Sequence, residues 1–172
     1  LELPFDGPTT AHCGSCSACI DICPTQAIVE PYMLDARKCI AYLTIEYKGI
    51  IAEELRRGIG NRVFGCDDCQ LICPWNSFAK KASIEDFNPR HGLDQISLLD
   101  IWHWDESTFL ANTEGSPLRR TGYQSFMRNI AIGLGNAPFS AQILHSLRQT
   151  YVTHDEIVQV HIDWAIAEQI AK

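Results

Sequence analysis

The sequence predicts an α+β fold that is mostly helical, with a cysteine-rich module over residues 1–80 and an α-helical region over residues 81–172. Three observations predict it. All 8 cysteines lie in the first half, as two runs that each end in Cys-Pro, with Cys39 between them. A short stretch of strand-forming residues follows the first run. Beyond residue 95, apolar residues recur at intervals of three and four, which is the period of an α-helix.

The first cysteine run comprises Cys13, Cys16, Cys19 and Cys23, followed by Pro24. Its spacing, C-x2-C-x2-C-x3-C-P, is the one with which bacterial ferredoxins hold [4Fe–4S] clusters, and the fourth cysteine of such a run serves a second cluster. A zinc site presents paired ligands instead, and a disulfide framework needs an oxidising compartment. The run therefore predicts a ferredoxin-like module with two [4Fe–4S] clusters.

The second run supplies the remaining ligands. Cys66, Cys69 and Cys73, followed by Pro74, repeat the end of the motif without its leading cysteine, and Cys39 makes up the number. Two clusters with four ligands each use every cysteine of the chain. We therefore predict crossed ligation, in which one cluster is held by Cys13, Cys16, Cys19 and Cys73 and the other by Cys23, Cys39, Cys66 and Cys69.

Short elements connect these ligands. We expect a short helix between Cys16 and Cys23 and a strand over residues 25–30. Asp35 is a suitable N-cap for a helix that carries Cys39, because an aspartate side chain accepts hydrogen bonds from the first N–H groups of a helix.

The stretch between the two runs predicts an amphipathic helix. Its apolar face extends from Ile51 to Ile59, and Glu53 is placed to form an ion pair with Arg57 one turn later. Gly60 ends the helix. Because the two motifs lie close together in ordinary ferredoxins, this insertion indicates a module that does more than carry electrons.

The second half of the chain has clear helix start signals. Ser97, Asp105 and Ser116 each precede a predicted helix as its N-cap. An apolar stripe from Phe126 predicts a helix that ends at residues 135–136, and a shorter helix follows around Leu144.

The last helix is predicted to open with a capping box over residues 153–156. Its inward face would consist of Ile157, Val160, Trp164 and Ala167. Helix pairs of this length, joined by short turns, resemble HEAT repeats, so we predict a small HEAT-like region.

The overall charge and hydropathy limit the classes of function that the chain can have. A net charge of −7 argues against nonspecific nucleic-acid binding by the whole chain but permits a local basic patch. Arg119, Arg120 and Arg128 are candidates to face RNA phosphates; the alternative is a solvated helix face. No apolar run approaches the ~20 residues that span a bilayer, and no signal-peptide pattern opens the chain. We expect a cytoplasmic monomer with no membrane contact, and the initial Leu1 suggests the second part of a longer polypeptide.

Several blocks besides the cysteine runs resemble those of epoxyqueuosine reductases. They occur in the order of that family and comprise Cys39–Gly49, Val63–Gln70, Phe87–Gly92 and Met127–Asn136. The resemblance implies a cobalamin-dependent enzyme that reduces epoxyqueuosine to queuosine at the wobble position of tRNA. An external electron donor would feed two clusters, which pass electrons to cobalamin. The family also has a cobalamin-binding region before the cluster module, with the catalytic acid in it, so no catalytic residue is assigned here.

The resemblance further implies binding residues. Ala41, Cys66 and Asp67 would contact cobalamin, and Lys48 would contact tRNA. The cluster that includes Cys23 is expected to lie nearest cobalamin, because the insertion leads into its ligands. The alternatives are that Ala41 simply packs, Asp67 caps a helix and Lys48 is a solvated surface lysine.

A second interpretation stays open at this point. The chain would be a two-cluster electron-carrier module of another reductase, such as a corrinoid reductive dehalogenase. That interpretation explains all the cysteines but not the helical second half, and binding of an anticodon stem-loop would separate the two.

Overall fold

A computed structural model describes residues 2–7 and 13–172 of the chain. The eight α-helices of this part are α1 Ala18–Ile22, α2 Glu53–Ile59, α3 Asp68–Leu71, α4 Leu98–Trp102, α5 Glu106–Asn112, α6 Tyr123–Asn136, α7 Ala141–Thr150 and α8 Glu156–Ile170. Strands β1 Ile28–Glu30 and β2 Met33–Leu34 form one antiparallel hairpin. The predicted α+β, mostly helical class is confirmed. None of the helices in the described ranges is long and apolar enough to cross a membrane.

The first cysteine loop folds much as its sequence predicts. Helix α1 lies between Cys16 and Cys23. Strand β1 begins at Ile28 and so later than predicted, because Gln26 adopts a left-handed backbone conformation with φ of 51°. An extended strand cannot pass through such a residue.

The segment around Cys39 differs in part from the prediction. Asp35 is an N-cap, and its Oδ1 accepts a hydrogen bond from the Arg37 N–H at 3.1 Å. The helix that it caps is a single 3₁₀ turn, Ala36–Lys38, which ends before Cys39. A π-helical turn, Tyr42–Glu46, follows, and such turns occur frequently at functional sites.

Helix α2 joins the cysteine module to the end of the chain. It ends at Gly60, as predicted. The predicted ion pair with Glu53 is wrong, because Arg57 instead pairs with Glu168 of α8 at 2.8 Å. A partner from a distant helix approaches the guanidinium more closely than the neighbour on the same helix, and periodicity alone cannot reveal such a partner.

Helix α6 is the centre of the core. Its residues Ser125–Gly135 are all buried, so the helix is surrounded on every side. The same hydrophobic cluster includes Ile40, Leu43 and Ile51 from the first half of the chain. The core therefore extends across residue 80, and the predicted division of the chain there stays a prediction.

Helix α8 packs along α6 with a different face from the predicted one. Its N-cap is Asp155, whose Oδ1 accepts from the Val158 N–H at 3.1 Å, and the predicted capping box from Thr153 is wrong. The buried residues of α8 are Val158, His161, Ile162, Trp164, Ala165 and Gln169. Only Trp164 was predicted correctly, because two polar residues lie in this buried face and obscure the apolar period.

The two long helices approach closely at Gly135. A Cβ atom at this position would lie 2.9 Å from the Ala165 Cα and 2.6 Å from the Trp164 ring. The absence of a side chain thus permits the close packing of α6 against α8.

Candidate metal centres and an adjoining cavity

Two short helices bring the cysteine runs together. Cys19 lies on α1, and Cys69 lies on α3, which packs against α1. Each helix is followed by a cysteine in extended conformation, Cys23 or Cys73, and then by proline. Because proline lacks an N–H group and cannot continue the helix, each motif ends at the same point of its turn.

The first cavity contains the four cysteines predicted for one cluster. It has a volume of about 490 Å³. Its lining cysteines are Cys13, Cys16, Cys19 and Cys73. Trp75 and Phe78 form its outer rim, with ring centroids 5.8 Å apart, and their exposed fractions are 57% and 75%. This cavity therefore lies next to an exposed aromatic surface.

The second cavity contains the other four cysteines. Its volume is about 340 Å³, and Cys23, Cys39, Cys66 and Cys69 all line it. The hairpin residues Ile28, Met33 and Leu34 line its apolar side. Cys13 and Cys19 reach both cavities, so the two sites are direct neighbours.

The donor set fits iron–sulfur clusters. All 8 cysteines are free thiols, and every one lines at least one of the two cavities. Within the described residues, no three Cys, His, Asp or Glu side chains converge closely enough for a single metal ion. The sulfurs instead stand around cavities, as ligands of a polynuclear cluster do, and thiolate sulfur is the ligand that such clusters use.

The thiols that line the second cavity differ from one another in the direction in which their surroundings shift the thiol pKa. Burial raises the pKa of the Cys23 thiol, but hydrogen bonds outweigh burial and lower the pKa overall. One of these bonds comes from the Ala27 N–H, which donates to Cys23 Sγ at 3.3 Å. Burial raises the pKa of Cys66 and, with the nearby Cys66 thiol, that of Cys69. N–H groups aimed at sulfur also tune a bound cluster, because they stabilise negative charge on it.

A third cavity unites the three residues predicted to contact cobalamin. Ala41, Cys66 and Asp67 all line it, and its volume is about 440 Å³. The remaining lining residues are Ile45, Arg62, Phe64, Gly65 and Asp68. Cys66 and Asp68 also line the second cavity, so the three cavities follow one another through the molecule.

The walls of this third cavity are tied to each other. The π-helical turn contributes Ile45, and the loop before α3 contributes Phe64 and Gly65. The Gly65 N–H donates to Thr44 Oγ1 at 2.9 Å, which links the two walls. Arg62 pairs with Asp68 at 2.6 Å at the border with the second cavity.

Asp67 has no capping role, whereas the ammonium of Lys48 reaches three backbone carbonyls, those of Ile45, Arg120 and Thr121. Asp67 occupies the N-cap position of α3, but its side chain makes no capping bond there and accepts from Gln70 Nε2 at 3.1 Å. Lys48 Nζ donates to the Thr121 carbonyl at 2.6 Å, and burial lowers the pKa of this lysine. Lys48 is thus anchored beside the third cavity, where its ammonium also reaches the carbonyl of Ile45.

Two of the three candidate phosphate-binding arginines lie at the surface. Arg120 pairs with Glu46 at 2.7 Å, and Arg119 donates to the Leu110 carbonyl at 2.6 Å. The prediction of a phosphate contact is wrong for Arg128, because its side chain is fully buried and binds backbone carbonyls. Burial lowers the pKa of Arg128 to about 10, at which the guanidinium is still charged at neutral pH.

Sequence reasoning missed the structural use of Arg128 and Asn129. The two residues stand in the middle of helix α6, with apolar residues on both sides, Met127 before them and Ile130 after them. Adjacent polar residues inside an apolar run indicate a buried hydrogen-bond network as readily as a surface. That signal was present in the sequence, but its partners are 66–85 residues away along the chain.

The cysteine-lined cavities and a family comparison together define the class of protein. Residues 12–76 match the family model of the 4Fe-4S double cluster binding domain. Since the donor set fits as well, this chain is a two-cluster iron–sulfur protein.

Individual relatives identify the family. An epoxyqueuosine reductase of Xanthomonas campestris is 56% identical over 168 residues, which are 98% of this chain and 47% of that protein. The structure of epoxyqueuosine reductase from Streptococcus thermophilus matches 100% of this chain and 45% of its own, with 25% identity and a TM-score of 0.83. A crystal structure of epoxyqueuosine reductase with an epoxyqueuosine-modified tRNA-Tyr stem loop covers 96% of this chain and 52% of its own, with 25% identity and a TM-score of 0.73.

The chain belongs to the epoxyqueuosine reductase family. It spans about half the length of the curated relatives that it matches.

Proposed function

We propose that this chain is the iron–sulfur part of an oxidoreductase that reduces epoxyqueuosine to queuosine in tRNA. Electrons would pass through two [4Fe–4S] clusters to cobalamin. The observation that carries the proposal is the succession of three cavities, because each cavity shares lining residues with the next. The catalytic acid is assigned to no residue of this chain.

The crossed ligation is part of this proposal. Each of the first two cavities has one complete set of four predicted ligands. Each set combines both cysteine runs, so each cluster would fasten α1 and its loop to α3 and its loop. Cys13 and Cys19 border both cavities, which supports an electron transfer over a short distance between the clusters.

The third cavity is the proposed contact site for cobalamin. Ala41 and Gly65 present little or no side chain there, and Phe64 adds an apolar surface. These features suit a large, flat macrocycle, and Asp67 offers a carboxylate for its polar edge. When bound, cobalamin would supply a cobalt centre that exchanges electrons with both cluster and substrate. Cys66 is a ligand in the second cavity and a wall of the third, so it would mark the shortest route between them.

The proposed reaction sets the requirements on the protein. Reduction of an epoxide to an alkene, with the oxygen leaving as water, consumes two electrons and two protons. Two clusters with one electron each can store the required pair. The chain would hold these carriers in order and present the third cavity to a single-stranded anticodon loop, since RNA loops offer unstacked bases to a protein.

Lys48 is the proposed tRNA contact beside that cavity. Its ammonium is anchored by the Thr121 carbonyl, and its position next to Ile45 places a positive charge at the edge of the third cavity. Arg119 and Arg120 directly precede Thr121 in the 3₁₀ turn Pro117–Thr121. Attraction between such charges and phosphates depends strongly on salt. Because the proposed substrate is tRNA, we also propose a cytoplasmic location, and we propose that the protein acts as a monomer.

The aromatic rim of the first cavity is the proposed entry point for electrons. Phe78 is largely exposed, and it lies directly beside the ligands Cys13, Cys16 and Cys73. An external electron donor that docks here would come within a short distance of the first cluster. The second cavity is bordered by exposed residues at the hairpin, among them Tyr32, whose exposed fraction is 71%.

Two measurements on the intact, anaerobically prepared protein test the proposal. Iron and sulfide analysis should give about eight irons per chain, with the EPR signals of two reduced cubanes. An anticodon stem-loop should bind, and its affinity should fall steeply as salt is raised. About four irons would refute the two-cluster assignment, and a stem-loop that fails to bind at low salt would refute the tRNA substrate.

A further inference from the structure

The middle of α6 contains a cation that is buried without an acidic partner among the described residues. The Arg128 guanidinium donates to the carbonyls of Leu43 at 2.8 Å, Tyr47 at 2.9 Å and Gly49 at 2.7 Å. These three carbonyls belong to the π-helical turn and to the residues directly after it. Arg128 thus holds the irregular backbone of this turn in place.

The neighbouring Asn129 joins this turn to a second segment. Its Nδ2 donates to the Thr44 carbonyl at 2.8 Å and to the Val63 carbonyl at 2.9 Å. Its Oδ1 accepts from Arg128 Nη2 at 2.9 Å. A single amide group therefore bridges residues 44 and 63, and Arg128 fixes the orientation of that amide.

The two bridged segments are the opposite walls of the third cavity. One wall is the π-helical turn with Ile45, and the other is the loop with Phe64, Gly65 and Cys66. Two sets of hydrogen bonds thus fix the distance between the walls. The Asn129 amide binds the carbonyls of Thr44 and Val63, and the Gly65 N–H binds Thr44 Oγ1.

The burial of Arg128 is costly for stability. Desolvation of a charge is unfavourable, and apolar residues of similar volume often replace buried charged groups without loss of stability. A guanidinium with several donors in a rigid plane can, however, bind several carbonyls at once. Arg128 and Asn129 therefore hold the backbone of the π-helical turn in one defined geometry, which apolar side chains would not do.

We propose that Arg128 and Asn129 are positioning residues that set the width of the third cavity and hold Cys66 in register with the π-helical turn. The consequence for cobalamin rests on the proposed function, whereas the consequence for the cavity walls does not. The two residues act through the backbone carbonyls of the walls and contact neither cofactor nor substrate.

The same helix offers a matched control. Asn136 lies two turns beyond Asn129, and its Nδ2 also donates to two carbonyls, those of Arg56 at 2.9 Å and Gly60 at 3.0 Å. These carbonyls belong to α2 and its C-cap, which do not line the third cavity. Asn129→Asp and Asn136→Asp each remove two donated hydrogen bonds at nearly constant volume.

The test compares both variants in the intact protein by amide hydrogen exchange and by absorbance titration with cobalamin. Asn129→Asp should speed exchange in residues 43–47 and 63–66 and weaken cobalamin binding about tenfold, the loss that corresponds to one or two hydrogen bonds. Asn136→Asp should speed exchange at the end of α2 and leave cobalamin affinity within about twofold. Arg128→Lys keeps the charge but cannot bind three carbonyls in one plane, so it should behave as Asn129→Asp does.

The outcomes separate the two proposals. Unchanged exchange in both walls for Asn129→Asp and Arg128→Lys would overturn the positioning role, as would equal loss of cobalamin affinity in Asn136→Asp. If the walls open as expected but the unmodified protein itself does not bind cobalamin, the positioning role stands and the proposed function fails.

Discussion

The two cysteine cavities have the same kind of ligands but different surroundings. The first cavity opens beside Trp75 and Phe78 at the surface. The second lies between the first and the third cavity and is lined by the hairpin and by Ile40 of the core. Repeated motifs thus produce two unequal sites, because the insertion between them connects only the second site to the helical half. The difference teaches that two sites with the same ligands need not have the same neighbours, and it fits the proposed path, in which the first site would receive electrons and the second would pass them on.

The largest effect is expected when one cysteine ligand is removed from either of the two cluster sites. Cys39→Ala should eliminate the cluster of the second cavity, lower the iron content by about half and abolish reduction of the substrate. Cys73→Ala should eliminate the other cluster and leave the second one detectable by EPR. If Cys73→Ala instead removes the cluster that Cys39→Ala removes, the crossed ligation is wrong.

Acidification should lower the stability of the core between α8 and the first half of the chain. His161 is fully buried, its Nε2 accepts from the Ile51 N–H at 3.1 Å, and burial lowers its pKa to about 4. Below pH ~6.5 the unfolded chain binds a proton that the folded chain excludes, so stability should fall between pH ~6.5 and about 4, by about 3 kcal/mol in all.

Urea unfolding of the protein at several pH values measures this loss. His161→Gln, which retains an acceptor and a donor but does not titrate, is the control and should have a flatter profile over this pH range. An identical profile in the variant would show that His161 is not responsible.

A glycine at the contact between α2 and the first cysteine loop offers a finer test. A Cβ at Gly58 would lie 2.8 Å from the Pro24 carbonyl oxygen, so Gly58→Ala should displace the chain next to Cys23 and cost about 1–3 kcal/mol. The EPR signal of the second cluster should change with it.

Gly135→Ala is the matched control, because its Cβ would collide with Ala165 in the contact between α6 and α8. It should lower the melting temperature as much and leave both EPR signals unchanged. Equal spectral changes in the two variants would contradict a local effect at Cys23.

The smallest expected effect concerns the exposed aromatic rim. Phe78→Ala should slow reduction by a protein donor severalfold, since an aromatic anchor at the centre of an interface contributes about 1–2 kcal/mol or more. Reduction by dithionite, a small molecule, should stay the same. Phe87→Ala, at a residue that is equally exposed (74%) but outside the first cavity, is the control. Equal slowing in both variants would rule out a specific docking site at the rim.

Much of the local structure was predictable from the sequence. Ser97, Asp105 and Ser140 all act as N-caps, and the first two were recognised as such, because capping depends on the residue itself and its near neighbours. The three residues predicted from the family resemblance to contact cobalamin line one cavity. The inward face of α8 was not predictable, because the buried His161 and Gln169 satisfy their hydrogen bonds with distant backbone groups.

The sequence by itself determined the chemistry of this protein. Seven cysteines at motif spacing, together with Cys39, define the ligand number and the kind of cluster, since these depend on residue type and short-range geometry. Only the tertiary structure decided which surfaces those ligands face and how the third cavity is held open. Arg128 and Asn129 act on carbonyls up to 85 residues away, and a local pattern contains no information about a partner that only the folded chain brings near.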